Sequence, residues 1–140
     1  MDKPIISGDT ITIPSSLDHL ADVDLFIESA LREYGTPQVL IPDIAISVSE
    51  LVNNAVMHGN KQSRDKMVTV RISRANNAVL IAVTDQGTGF DPGEIQNPID
   101  NENLLKAVGR GIFIVRSLMD TVDIVPGPNG TTITIGKAIA

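Results

Sequence analysis

The chain has no cysteine, so it can build neither a disulfide framework nor a thiolate metal site, which fits a reducing compartment. It has no tryptophan, one tyrosine and three phenylalanines, so any core must be aliphatic. The opening Met1-Asp2-Lys3-Pro4-Ile5-Ile6 lacks the charged start and long apolar run of a signal peptide. No uninterrupted apolar stretch approaches the roughly 18 residues that cross a membrane. Positive charge is in deficit, with 11 Lys and Arg against 17 Asp and Glu and a net charge of -6, which argues against an electrostatic grip on nucleic acid. What remains is 140 residues that are 42% hydrophobic. That is the size of one domain, 1–140, able to bury roughly two thirds of its unfolded surface. These absences describe a soluble, cytoplasmic chain.

The hydropathy pattern predicts an alternation of strands and helices. Thr10-Ile11-Thr12-Ile13 alternates and stops at Pro14, which predicts a short strand. Ser15 or Ser16 caps a helix that runs to about Tyr34, with Gly35 as its stop signal. Pro42 suits the first turn of a second helix, running to Gly59. Its residues Ile44, Val48, Leu51, Val52 and Ala55 form a broad apolar face suited to packing on a sheet. Asn60 to Lys66 reads as an exposed connection. Val68–Ile72 and Val79–Thr84 are strands joined by a hairpin turn at Ala75-Asn76-Asn77. Val68, Val70 and Ile72 share one face and Thr69, Arg71 and Ser73 the other, the pattern of an antiparallel sheet with one face covered and one wet. The pattern fades from Gly87 to about Val108. A helix then opens at Gly109-Arg110-Gly111, its outer face offering an Arg116–Asp120 pair. Val122–Val125 and Thr131–Ile135 close the chain as a hairpin.

Three clusters carry chemistry. Glu50 and Asn54 are four residues apart, so they lie on one face of the second helix, with Ser47 and His58 extending the row. A carboxylate and an amide at the border of a buried face are costly unless something binds them. Asn54 suits Mg²⁺, which takes one or two protein oxygens and completes its shell with phosphate and water. Glu50 is placed to take a proton from a hydroxyl or water attacking a phosphoryl group. The plainer alternatives are a solvated Glu50, an Asn54 bonded to backbone, and a His58 facing solvent or the last helical carbonyls. The second cluster is Asp85-Gln86-Gly87-Thr88-Gly89. Strand parity puts Asp85 on the buried side with Val79, Ile81 and Val83. There it either makes a turn or accepts a hydrogen bond from an amino group such as that of adenine. Gly87 and Gly89 let the backbone come close to a ligand. Thr131 shares the inward parity of Ile133 and Ile135, as a ligand contact or an ordinary strand threonine. The third cluster, Gly109-Arg110-Gly111, opens a helix whose free N–H groups favour phosphate, with Lys106 and Arg110 adding positive charge. Neither a G-x-x-x-x-G-K-[ST] loop nor a G-x-G-x-x-G fingerprint is present.

In this order and spacing the clusters resemble the GHKL, or Bergerat-fold, ATPase superfamily. Glu50-x-x-x-Asn54 is similar to its N-box, Asp85-x-Gly87-x-Gly89 and Gly109-x-Gly111 to its two glycine boxes, and Gly130-Thr131 to its closing Gly-Thr element. The resemblance covers roughly Pro42 to Ile135. It implies an α+β fold, a two-layer α/β sandwich with a mixed, mainly antiparallel sheet and helices on one face. Within the superfamily, Glu50 to Gly59, Gly89-Phe90-Asp91-Pro92 and Glu102 to Asp120 most resemble the stand-alone bacterial anti-sigma-factor serine kinases. That resemblance implies a homodimeric switch that holds a sigma factor, or uses Mg-ATP to phosphorylate a serine of a STAS-domain anti-anti-sigma protein. Glu50 is then the base, Asn54 the Mg²⁺ ligand and Asp85 the adenine reader. A lid over about 89–108 and Gly109 to Gly111 cover and bind the phosphates. The rival reading is a non-catalytic ATP-binding module in which nucleotide sets partner affinity alone. A histidine-kinase fragment is disfavoured because no acceptor-bearing helical hairpin precedes the domain. Glycoside hydrolysis by Glu50 and Asp85 is remote in so aromatic-poor a chain.

Overall fold

The computed structural model describes residues 3–63, 65–87 and 110–139. Its strands are β1 (Ile5–Ser7), β2 (Thr10–Pro14), β3 (Met67–Ala75), β4 (Ala78–Thr84), β5 (Thr121–Gly127) and β6 (Gly130–Ala138). Its helices are α1 (Leu20–Glu33), α2 (Ile41–Asn54) and α3 (110–118). The sheet order is β1-β2-β3-β4-β6-β5, and every pairing among the described strands is antiparallel. This is the α+β sandwich that the resemblance implies, with a sheet that is antiparallel throughout those strands, as the alternation predicts, rather than mixed.

The layers follow from the two periodicities. In β3 and β4 alternate residues are buried, Val68, Val70 and Ile72 on one and Val79, Ile81 and Val83 on the other. Register lines these positions up across strands, with Ile11 opposite Val70 opposite Val83 opposite Ile133. Burying one such side chain contributes about 1.5–3 kcal/mol. Val23, Ile27 and Leu31 of α1 and Ile44, Val48, Leu51 and Val52 of α2 supply the other half of the core. Within the 22-residue helical run Gln38–Gly59 an 18-residue stretch has a mean hydropathy of 1.4, enough by length and composition to cross a membrane. Here half of it is buried against the rest of the fold.

Local signals set most of the ends. Ser16 Oγ accepts from the Asp18 N–H at 3.2 Å to open a 3₁₀ turn (Leu17–His19) ahead of α1. Gly35, at φ +73°, ends that helix in the left-handed region glycine tolerates. The two-residue turn between β3 and β4 places Asn76 at φ +56°. One pairing lies outside the expected strands. Ile5–Ser7 folds back on β2 through Gly8-Asp9, with Ser7 opposite Thr10. Asp120 also departs from expectation. Its carboxylate turns to the sheet, accepting from the Ala138 N–H at 2.7 Å and pairing with Lys137 at 3.6 Å.

Candidate functional site

The site begins where α2 changes pitch. After Asn54 the chain makes a π-helical turn, Ala55–Gly59, closed by the Asn60 N–H donating to the Ala55 carbonyl at 2.8 Å. Such one-residue expansions recur at functional sites because they re-aim the residues that follow. Here the turn delivers Gly59 against the exit of β4. A methyl group on Gly59 would collide with the Asp85 carboxylate, and one on Gly87 with the Gly59 carbonyl. Gly87 therefore allows two stretches of backbone to meet.

Asp85 lies on the buried side, as its parity predicts, at 8% exposure. Its Oδ1 accepts from the Gly87 N–H at 2.9 Å and the Thr131 N–H at 3.1 Å, while its own N–H donates to the Thr131 carbonyl at 3.0 Å. A carboxylate oxygen with two backbone donors is held in one orientation. Oδ2 lies beside Gly59. Gly130 is needed for the close approach of β6, since a side chain there would strike the Asp85 carbonyl.

At the other end, Asn54 is 8% exposed and its Nδ2 is buried without a hydrogen-bond partner among the described residues. Groups of that kind are rare and costly in folded chains. The plainer alternative, an Asn54 amide bonded to backbone, finds no such bond at its nitrogen among the described residues. Gly111, in the first turn of α3, sits against this amide: a methyl group there would lie 2.9 Å from Asn54 Nδ2 and 3.2 Å from Glu50 Oε2. Residues 50, 54 and 111 thus form one cluster. Glu50 is half-buried and Arg110 exposed. Gly89, Lys106, Gly109 and the expected lid over 89–108 lie outside the described residues.

Between the two ends is a cavity of about 120 Å³ walled by Asn54, His58, Gly59, Asp85, Ile112 and Thr131, among others. That is room for one small planar ring system, well short of the ~300 Å³ or more of a pocket that encloses a drug-sized ligand. A ligand longer than one ring system seated there must continue outward. His58 stands in this wall, and burial lowers its pKa from the ordinary 6.5. It is half-buried, in the last turn of the helical run. A larger groove, about 750 Å³, runs between the β1–β2 hairpin and α1 and contains none of the expected site residues.

Two tests of fit can be made for a nucleotide and its metal. The orphaned amide of Asn54 beside Gly111 is the kind of group that a polar ligand completes. As assigned, its buried donor suits a phosphate oxygen, leaving the amide oxygen to serve a cation. No group of three His, Cys, Asp or Glu able to hold a metal occurs among the described residues. A cation here would need phosphate and water oxygens, which is the habit of Mg²⁺.

Asn60 is the functional-site neighbour that sequence reasoning placed wrongly. It opens the stretch read as an exposed connection, yet it is 1% exposed, and its side chain bonds to Ser15, Met67 and Gln86. Nothing in its own sequence context separates it from Lys61 and Gln62; its burial is set by partners distant in the chain.

A fold of this topology with an acid–amide pair, a buried aspartate and a glycine-opened helix around one cavity is that of a nucleotide-binding ATPase domain. The histidine kinase-like ATPase domain model matches residues 13–137, and the chain belongs to that family. Family membership implies use of ATP. Among curated proteins it is similar to the serine-protein kinase RsbW of Staphylococcus epidermidis, 31% identical over 91% of this chain and 84% of that protein. It is 28% identical to RsbW of Staphylococcus aureus over the same shares. Among solved structures it resembles the RsbU and RsbW domains of Rv1364c from Mycobacterium tuberculosis, with a TM-score of 0.65 and 22% identity. That match covers 98% of this chain and about a third (32%) of that one. The histidine kinase domain of the blue-light-activated kinase EL346 from Erythrobacter litoralis gives 0.58 and 19% over 91% of this chain and 62% of that one. These structural likenesses show the fold.

Proposed function

We propose that this chain is a single-domain, ATP-dependent serine protein kinase of the RsbW kind. It acts in the cytoplasm as a switch, holding a sigma factor or transferring the γ-phosphoryl group of ATP to a serine of a STAS-type anti-anti-sigma protein, as a homodimer. The observation that carries the reading is the meeting of Glu50, Asn54 and Gly111, drawn from two distant stretches, at one end of a cavity whose other end is Asp85. Similarity to serine-protein kinases over most of the chain supports the choice of serine as acceptor.

On this reading Asp85 Oδ2 accepts from the exocyclic amino group of adenine, with Oδ1 held by Gly87 and Thr131. The cavity takes the purine, and the phosphates run outward toward Asn54, Gly111 and Arg110, with Lys106, Gly109 and Gly89 assigned to the same nucleotide. Asn54 Oδ1 would hold Mg²⁺, which when bound neutralises phosphate charge. Glu50 takes the proton of the incoming serine hydroxyl. A base so used typically contributes ~10²–10⁴-fold. The test is transfer of label from γ-labelled ATP to a STAS-domain protein encoded beside the gene, with and without Mg²⁺. Phosphoserine on the partner is the expected result. Retained ATP-dependent pull-down with no label on any candidate partner would sink the kinase reading and leave a nucleotide-gated binding module.

A further inference from the structure

We infer that Asn60 is a positioning residue for adenine selectivity, acting on the nucleotide through the backbone that carries Asp85. The inference rests on the reading of Asp85 as the adenine acceptor. Asn60 has no group in the cavity wall and serves no step of phosphoryl transfer, yet among the described residues it is one of the most completely buried polar side chains.

Its bonds explain why. Asn60 Oδ1 accepts from the Gln86 N–H at 2.7 Å, the peptide unit between Asp85 and Gln86. Its Nδ2 donates to Ser15 Oγ at 2.7 Å and to the Met67 carbonyl at 2.9 Å. Ser15 Oγ in turn donates to the Lys66 carbonyl at 2.7 Å. One amide therefore ties the exit of β4 to the end of β2 and the start of β3, two strands whose positions the core fixes. Gln86 is held a second time, its Oε1 accepting from the Met67 N–H at 2.7 Å. The Asp85–Gln86 peptide is pinned on one side by Asn60, and on the other Asp85 Oδ1 bonds to Gly87 and Thr131. With both sides held, Oδ2 keeps one direction. If Asn60 is removed, the peptide can rotate and the carboxylate with it.

The π-helical turn supplies the reason Asn60 reaches this place. An ordinary α-turn would bond the Asn60 N–H to the carbonyl four residues back, whereas here it bonds to Ala55, five back. The extra residue turns Asn60 inward from the row of His58. Lys61 and Gln62 follow at φ +52° and +59°, so the chain leaves the helix at once and the asparagine stays locked beneath the sheet exit. A buried network with every member satisfied fixes geometry more firmly than its separate bonds would.

The experiment compares Mg-ATP with the Mg complex of purine riboside triphosphate, which lacks the 6-amino group. Binding is measured by calorimetry on the full chain as wild type and as Asn60→Ala, with thermal unfolding recorded for each. A hydrogen bond to a carboxylate predicts that wild type prefers ATP by about 10-fold or more. In Asn60→Ala the preference should fall to about 3-fold or less while affinity for the analogue stays within about 2-fold, a split that mere destabilisation does not give. An unchanged preference in the folded variant, or equal weakening of both nucleotides, overturns the inference. Should Asn60→Ala fail to fold, Ser15→Ala loosens the same anchor from its far end. It should then lower the preference by about 2-fold or more, and an unchanged preference again overturns the role. A wild type with no preference for ATP overturns the Asp85 reading itself, which is a separate result.

Discussion

At the sheet end of the cavity Asp85 Oδ1 holds two backbone N–H groups, and the peptide behind it is held by Asn60. At the helix end Asn54 Nδ2 is buried and holds nothing among the described residues. The two ends also use glycine differently. Gly59, Gly87 and Gly130 let backbone press on backbone or on the Asp85 carboxylate, so their space is already filled by protein. Gly111 instead keeps a side chain away from Asn54 and Glu50. One end is completed by the fold and the other is left for a ligand to complete. Both ends gain from being preorganised, and at the helix end the buried donor is held ready for a group that the ligand supplies.

The largest effect should come from the open end. Glu50→Ala removes the assigned base, and phosphoryl transfer to the partner should fall ~10²–10⁴-fold. Binding of Mg-ATP should stay within about 3-fold, because Glu50 is assigned no ground-state contact. Single-turnover transfer and equilibrium binding measured on the same preparation separate the two. An unchanged transfer rate removes Glu50 from the mechanism.

At the closed end the corresponding change is structural. Gly87→Ala sets a methyl group against the Gly59 carbonyl, where neither backbone is a flexible tip that can swing aside. Overpacking of this kind costs about 1–3 kcal/mol, so thermal unfolding should move down by several degrees and nucleotide binding should weaken with it. A Gly87→Ala protein with unchanged Tm would mean that the π-helical turn can retreat, and the closed end would be softer than its hydrogen bonds suggest.

The contrast between the ends is only half legible in the sequence. Period-2 alternation alone puts Asp85 inside, because parity is fixed by the pleat and needs no tertiary information. Helical spacing likewise puts Glu50 and Asn54 on one face. The order of the acidic, amide and glycine clusters identifies the family. The π-helical turn leaves no such mark, since Ala55-Val56-Met57-His58-Gly59 has the composition of a continuing helix. Asn60 is hidden for a related reason: its partners Ser15 and Gln86 lie 45 and 26 residues away. The β1 strand escapes the pattern because Ile5, Ile6 and Ser7 are all exposed, which erases the alternation that marks half-buried strands. Its Gly8-Asp9 turn is the one signal it offers.

A smaller effect with the opposite sign should follow at Asn54. Replacing an unsatisfied buried amide by an apolar group of the same shape removes its desolvation penalty, about 1–3 kcal/mol. Asn54→Leu should therefore raise Tm in the absence of nucleotide while Mg-ATP binding is lost. Asn54→Ala gives no such gain, because it exchanges the polar penalty for a cavity. A fall in Tm for the leucine variant would mean that the amide is satisfied in the free protein, and the distinction between the ends would fail.

The smallest effect lies in the wall between them. Burial depresses the His58 pKa, so the folded chain prefers the neutral ring while the unfolded chain titrates near 6.5. Above that value neither state holds the proton and the stability contribution is complete. As pH falls below it, the unfolded chain binds a proton that the folded one does not, and stability declines until the folded pKa is passed. His58→Gln removes this term and leaves the carboxylates of the chain unchanged. Between pH 7.5 and 5.5 Tm should fall more for the wild type than for His58→Gln, with the curves parallel above neutrality. Parallel curves across the whole range would show that His58 is solvated in the folded state. The wall would then be open to water beside the place where the π-helical turn meets Asp85.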